Sequence, residues 1–136
     1  MYVIVVGCGR LGAAVAQELA GEGHQVAVVD RRAESLERLG RDAQVQRIVG
    51  TGIDIDVLRQ AGIDRAEAVA ALTDLDNANI MIAQTAQQIF QVPRVVARVN
   101  DLRVESVFQA LGVPTVCPTR LAVLPVKEQL LAGGGA

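Results

Sequence analysis

The chain predicts a doubly wound α/β domain, a mainly parallel sheet with helices on both faces. Short β-branched runs alternate with helix-length amphipathic runs, with strands expected near 2–6, 25–30, 45–49, 68–72 and 94–99. Such alternation builds βαβ units. The strand runs are almost continuously apolar, as in Val26-Ala27-Val28-Val29 and Ala68-Val69-Ala70-Ala71-Leu72, which suits strands buried on both faces. The hydrophobic share is 51%, yet it contains only two Phe, one Tyr and no Trp. Val, Leu, Ile and Ala must therefore make the core, as in Ala-rich helices laid on a sheet.

The elements follow in order. Tyr2 to Val6 leads into Gly7-Cys8-Gly9-Arg10-Leu11-Gly12 and then a helix with Leu11, Val15 and Leu19 on one face, stopped by Gly21 and Gly23. The second strand ends at Asp30 and the third at Gly50-Thr51-Gly52, after which Asp54 caps a short helix ending at Gly62. Thr73 and Asp76 form a capping pattern before a longer helix, about 75–90, and Asn100 caps another that closes at Gly112. A very short sixth strand is expected at 115–117. Pro118 then opens a last helix carrying Leu121, Leu124 and Leu131, in which Pro125 implies a kink or a late start. The expected organisation is a Rossmann-like nucleotide-binding unit over 1–117, a C-terminal helix over 118–132 suited to crossover or assembly, and a glycine-rich tail at 133–136.

Composition narrows the function. With 13 basic and 15 acidic residues, net charge −2 and three aromatic side chains, there is neither a basic stripe nor a stacking platform for nucleic acid. No apolar window reaches membrane-spanning length, and the start of the chain reads as a strand rather than a leader. Cys8 and Cys117 lie outside any C-x-x-C pair and read as small buried hydrophobes in a reducing, cytoplasmic compartment.

The glycine loop carries the chemistry. A G-x-G-x-x-G pattern gains meaning from a preceding strand, a following helix and an acid about 20 residues on, and here Gly7, Gly9, Gly12 and Asp30 meet all three conditions. The glycines allow a tight turn and close approach of backbone to phosphate, and Asp30 can accept both hydroxyls of a ribose. That carboxylate opposes a 2′-phosphate, which favours NAD(H) or an adenine nucleotide (ATP, ADP or AMP), although Arg31 and Arg32 weaken the exclusion. Asp30 is alternatively the cap of the next helix. Arg10 reads equally as a phosphate contact, in its own or a neighbouring subunit, or as a solvated first-turn residue. Arg31 lies along an adenine face or in solvent; Thr51 and Gly52 sit where an adenine would lie or form a plain turn. Thr73, Asp74 and Asn77 follow the fourth strand, and Arg98 ends the fifth, at the sheet edge where open α/β folds bind ligands. His24 falls on the opposite edge, and neither a metal cluster nor a Ser-His-Asp set can be assembled around it. A non-enzymatic nucleotide sensor is expected ahead of a small NAD(P)-dependent oxidoreductase or the cofactor domain of one, with a purely structural assembly domain as a third reading.

These residues resemble the RCK domain, also called the KTN or TrkA N-terminal domain, of potassium channels and transporters. The likeness rests on the arginine-bearing loop at 7–12, Glu22-Gly23-His24 leading to Asp30, Gly50-Thr51-Gly52-Ile53-Asp54, Leu58 to Ile63, Leu72 to Asn79, and Pro93 to Asp101. The resemblance implies a cytoplasmic regulatory subunit, held at the inner face of the plasma membrane by its partner. It also implies a homodimer that often builds tetramers or octameric rings on a potassium channel or transporter and responds to NAD(H), ATP, ADP or AMP. Gly7, Cys8, Gly9, Arg10, Leu11, Gly12, Asp30, Thr73 and Asp74 fall at or within its nucleotide-contact segments, and Arg98 matches a strand-end arginine near the ligand. The family commonly has an acid after Gly50, where this chain has Thr51, a weaker acceptor for an adenine amino group. A smaller C-terminal lobe often follows in the family.

Overall fold

The computed structural model describes residues 1–41 and 44–132. Six parallel strands, β1 (Tyr2–Val6), β2 (Gln25–Asp30), β3 (Val45–Val49), β4 (Ala68–Ala71), β5 (Arg94–Arg98) and β6 (Thr115–Val116), pair in the order β3-β2-β1-β4-β5-β6. β1 is central, with Val3 in register with Val26 on one side and Ala68 on the other. The order reverses between β1 and β4, which opens a crevice beyond the carboxyl ends of those strands.

Period-two alternation distributes the core to both faces. Ile4, Val6, Ala27, Val29, Val69 and Ala71 face α3 (Ile55–Gln60), α4 (Asp76–Gln84) and α5 (Glu105–Ala110), through Leu58, Ile82, Ala83 and Phe108. Val3, Val5, Val26, Val28 and Ala70 face α1 (Arg10–Gly21) and the short α2 (Ala33–Leu36), through Ala13, Ala16, Ala20 and Leu36. Each fully buried Val, Leu or Ile contributes roughly 1.5–3 kcal/mol.

The strands fall where the sequence places them; several helix details do not. On α1 the buried residues are Gly12, Ala13, Ala16 and Ala20, while Leu11, Val15 and Leu19 flank the contact. A helix this close to a sheet sets small side chains in its centre and leucines at its margins. The cap of α4 is Leu75, without a side-chain bond, and the Thr73/Asp76 capping pair does not form because both side chains are drawn to tertiary partners described below. α4 continues through a π-turn, Thr85–Ile89, to the end expected near residue 90. Asp101, not Asn100, caps the turn Leu102–Val104 that precedes α5. Asp54 does cap α3, accepting from Asp56 N at 2.9 Å.

The last helix, α6 (Pro118–Ala132), runs through Pro125 and does not start late. The missing donor leaves the Leu121 carbonyl unpaired within the helix, and Leu121 is exposed, so water can satisfy it. No residue of α6 is buried. The tail expected at 133–136 lies outside the described residues.

Candidate functional site

A cavity of about 310 Å³ lies at the carboxyl edge of the sheet, between the glycine loop and the ends of β2, β3, β4 and β5. Its wall includes Gly7, Gly9, Asp30, Arg31, Thr51, Gly52, Thr73, Asp74 and Arg98 from the expected set. Arg32, Ser35, Gly50, Ile53, Leu75, Ala78 and Ile82 complete the lining beside the apolar strand ends Val6, Val29 and Leu72.

The glycine loop is shaped by two close approaches. Gly7 has φ +101°, and a Cβ there would stand 2.8 Å from Thr73 N; a Cβ on Gly12 would overlap the Gly7 carbonyl oxygen. The backbone of the loop thus packs on α1 and on the end of β4. Gly9 differs: nothing lies within 4 Å of where its Cβ would be. The protein's own packing does not demand glycine at that point of the cavity wall, whereas a ligand in van der Waals contact with the backbone would.

Asp30 is oriented before any ligand arrives. Its Oδ2 accepts from Cys8 N and its Oδ1 from Arg32 N, both at 2.8 Å. The cap of α2 is Arg32, so Asp30 is not a helix cap. A carboxylate offers about four lone-pair sites; two are taken here, and one on each oxygen stays open for a diol. Cys8 presents its amide to this bond while its thiol is buried in the α1-side core, where desolvation, then the nearby Asp30 charge, raise its pKa. A thiol held protonated in this way is a packing group rather than a nucleophile.

Arg10, Leu11, Gly12 and Asn77 stand outside the cavity wall. Arg10 is exposed at the start of α1, Leu11 packs at the margin of the core, Gly12 supports the loop from behind, and Asn77 is exposed on α4. Two residues away from Asn77 is a group that sequence reasoning missed. Asn79 has 0% exposure and is the buried polar residue among those described. Its Oδ1 accepts from Thr73 N at 3.0 Å and Thr73 Oγ1 at 2.6 Å, and its Nδ2 donates to Thr73 O at 3.0 Å and Arg98 O at 2.9 Å. A signal was present: Asn79, Ile82, Ala83 and Ala86 share core spacing on one helix face, and a polar residue in that series must have partners. One turn earlier, Asp76 accepts from Asn100 N at 2.7 Å, Asn100 Nδ2 at 2.9 Å and Asp101 N at 3.0 Å.

Arg98 supplies charge. Its Nε is buried without a hydrogen-bond partner while the residue lines the cavity. A buried unsatisfied donor costs about 1–3 kcal/mol, and Arg98 brings a cationic side chain to the cavity wall. A wall with a cationic end, a pre-oriented carboxylate and an open glycine fits a phosphorylated ribose. Among the described residues, no group of His, Cys, Asp and Glu is arranged to hold a metal ion, and no helix is long and apolar enough to cross a membrane.

Sheet order, switch-point crevice and glycine loop together define a Rossmann-like domain. The chain belongs to the TrkA-N domain family, whose model matches residues 3–119. It is 44% identical over 134 residues to the Trk system potassium uptake protein TrkA of Streptomyces coelicolor, a match covering 98% of this chain and 60% of that relative. The chain therefore spans about three fifths of that relative's length. Its fold is similar to the AMP-bound C-terminal domain of Kef from Shewanella denitrificans, with a TM-score of 0.89 and 23% identity over 100% of this chain and 83% of that one. It is also similar to the RCK domain of GsuK, with a TM-score of 0.84 and 24% identity over 98% of this chain and 28% of that one.

Proposed function

We propose that the chain is a non-catalytic nucleotide-sensing domain of a potassium-transport system, taking NAD(H) or an adenine nucleotide in the carboxyl-edge cavity. The observation that carries this reading is Asp30, pinned by Cys8 N and Arg32 N with lone pairs open beside a glycine loop in which a Cβ on Gly9 would meet no protein atom. The relation to a potassium uptake protein supplies the physiological setting, and the buried free cysteines suit a reducing compartment at the inner face of the membrane. Residues 1–117 form the binding unit and α6 an assembly element through which copies associate on a membrane partner. Ligands that extend differently past the first phosphate shift the equilibrium between subunit arrangements in proportion to their differential affinity for them.

Calorimetric titration with AMP, ADP, ATP, NAD and NADH tests the reading. Saturable one-site binding by at least one of these ligands is expected, and binding by none overturns it. Steady NADH oxidation with a small carbonyl substrate would instead favour the oxidoreductase.

A further inference from the structure

We propose that Asn79 is a positioning residue that sets the β4–β5 half of the cavity, and thereby selects for nucleotides that extend beyond their first phosphate. The inference rests on the nucleotide-binding reading above. A carboxamide offers two donor hydrogens and two acceptor lone pairs, and Asn79 uses all four. Three bonds go to Thr73, through N, Oγ1 and O, and the fourth to the carbonyl of Arg98. Thr73 and Arg98 lie at the ends of adjacent strands and both line the cavity. One buried side chain therefore fixes the spacing of two wall residues contributed by different strands.

Asp76 holds the next stretch of the same connection through Asn100 and Asp101. α4 thus grips residues 98–101 twice; it holds Thr73 directly through Asn79, while Asn100, itself bound to Asp76, adds one longer bond to Thr73 O at 3.4 Å. The backbone that carries Arg98 is held by Asn79 through the Arg98 carbonyl.

The two halves of the crevice divide the ligand. Asp30 ends β2 and Thr51 follows β3, on the ribose and adenine side of the switch point; Thr73 follows β4 and Arg98 ends β5, on the far side. AMP reaches the glycine loop from the Asp30 side. ADP, ATP and NAD(H) continue across to Thr73 and Arg98. A defect in Asn79 that is confined to positioning falls on the longer ligands, whereas loss of global stability falls on all of them.

The test is calorimetric affinity for AMP and NADH in wild-type protein, Asn79→Asp and Ile63→Val. Asn79→Asp keeps the volume but, in either protonation state, cannot donate to both the Thr73 and Arg98 carbonyls. Ile63→Val loosens the core without touching the clamp. Asn79→Asp is expected to weaken NADH by about tenfold or more while AMP changes less than about threefold, with both ligands unchanged in Ile63→Val. Equal losses for AMP and NADH, or no loss for either, overturn the proposal. A wild-type protein that binds neither overturns the nucleotide reading beneath it. Should Asn79→Asp not fold, the wild-type Asn79 side-chain amide resonances decide the matter. They are expected to shift on NADH addition well beyond their shift with AMP, and identical responses to the two ligands refute the positioning role.

Discussion

Gly9 and Gly12 look interchangeable in the sequence motif, and the structure separates them. Gly12→Ala drives a methyl into the Gly7 carbonyl and should cost several kcal/mol of stability, as overpacking against backbone does (about 1–3 kcal/mol or more). Gly9→Ala meets open space at a φ of −76° that any residue adopts, and its stability should stay within about 0.5 kcal/mol of wild type. Urea titration of both variants reads this difference. The same Gly9→Ala protein should lose nucleotide affinity by calorimetry, because its methyl occupies space only a ligand needs; unchanged affinity would place the phosphates elsewhere. Asp30→Ala combines both kinds of effect. It removes a ribose acceptor and also strips Cys8 N and Arg32 N of their partner, so every adenine ribonucleotide should weaken by about 1.5–3 kcal/mol and the urea midpoint should fall as well. The motif made the Asp30 and glycine positions legible, since G-x-G-x-x-G and a following acid are local patterns. It could not reveal that the carboxylate is tied to the loop, because that bond joins residues 22 apart.

At the scale of elements, the strands and the cap of α3 were legible while the caps of α4 and of the turn before α5 were not, for related physical reasons. A strand buried on both faces must be apolar throughout, and each such run from β1 to β5 is visible without knowing its neighbours. A capping pattern is only an offer of hydrogen bonds. Thr73 and Asp76 match one, but β5 ends beside β4 and presents Asn100, Asp101 and the Arg98 carbonyl, so Asp76 turns to that connection and Thr73 to Asn79. The cap of the turn before α5 then passes to Asp101, whose carboxylate accepts from Arg103 N at 2.9 Å and from its guanidinium at 2.8 Å. The Arg103 side-chain bonds, then its backbone amide, hold the Asp101 carboxyl below the ordinary 3.8. A carboxylate whose folded pKa is depressed contributes stability above its unfolded value and loses it as pH falls through the folded one. The Asp101 carbon resonance should therefore titrate below pH 3.8 in the wild type and move upward in Arg103→Ala. Equal midpoints in the two proteins would show that the bonds do not persist in solution.

At the scale of the whole molecule, the described residues leave apolar surface exposed. Leu121, Leu124, Leu130 and Leu131 on α6 are all more than half exposed, as are Met81 and Ile89 on the α4 side and Val107 on α5. An exposed helix of this composition is not stabilised by amphipathic burial within its own chain, and isolated helices of 12–15 residues are marginal in water. Among the described residues, the ion pair that ties it back, Arg120 to Glu105 at 2.6 Å, acts near its first turn. The described residues beyond it, 121–132, are all exposed; a covering surface would stabilise α6, and the exposed residues of α4 and α5 on a second copy are one of the same chemistry. This feature was legible in the leucines after Pro118, on a helix the sequence marks for crossover or assembly. The sequence could not show that α6 has no buried residue at all, since that depends on where the sheet ends. Leu124→Glu with Leu131→Glu should shift the protein from oligomer to monomer in light scattering after size exclusion, since each charge would have to be buried unpaired at the contact. Nucleotide affinity measured per subunit should survive the change, because neither residue lines the cavity. An unaltered oligomer would assign assembly to another surface, and monomerisation with complete loss of binding would mean that the neighbouring copy completes the nucleotide site, the role left open to the exposed Arg10.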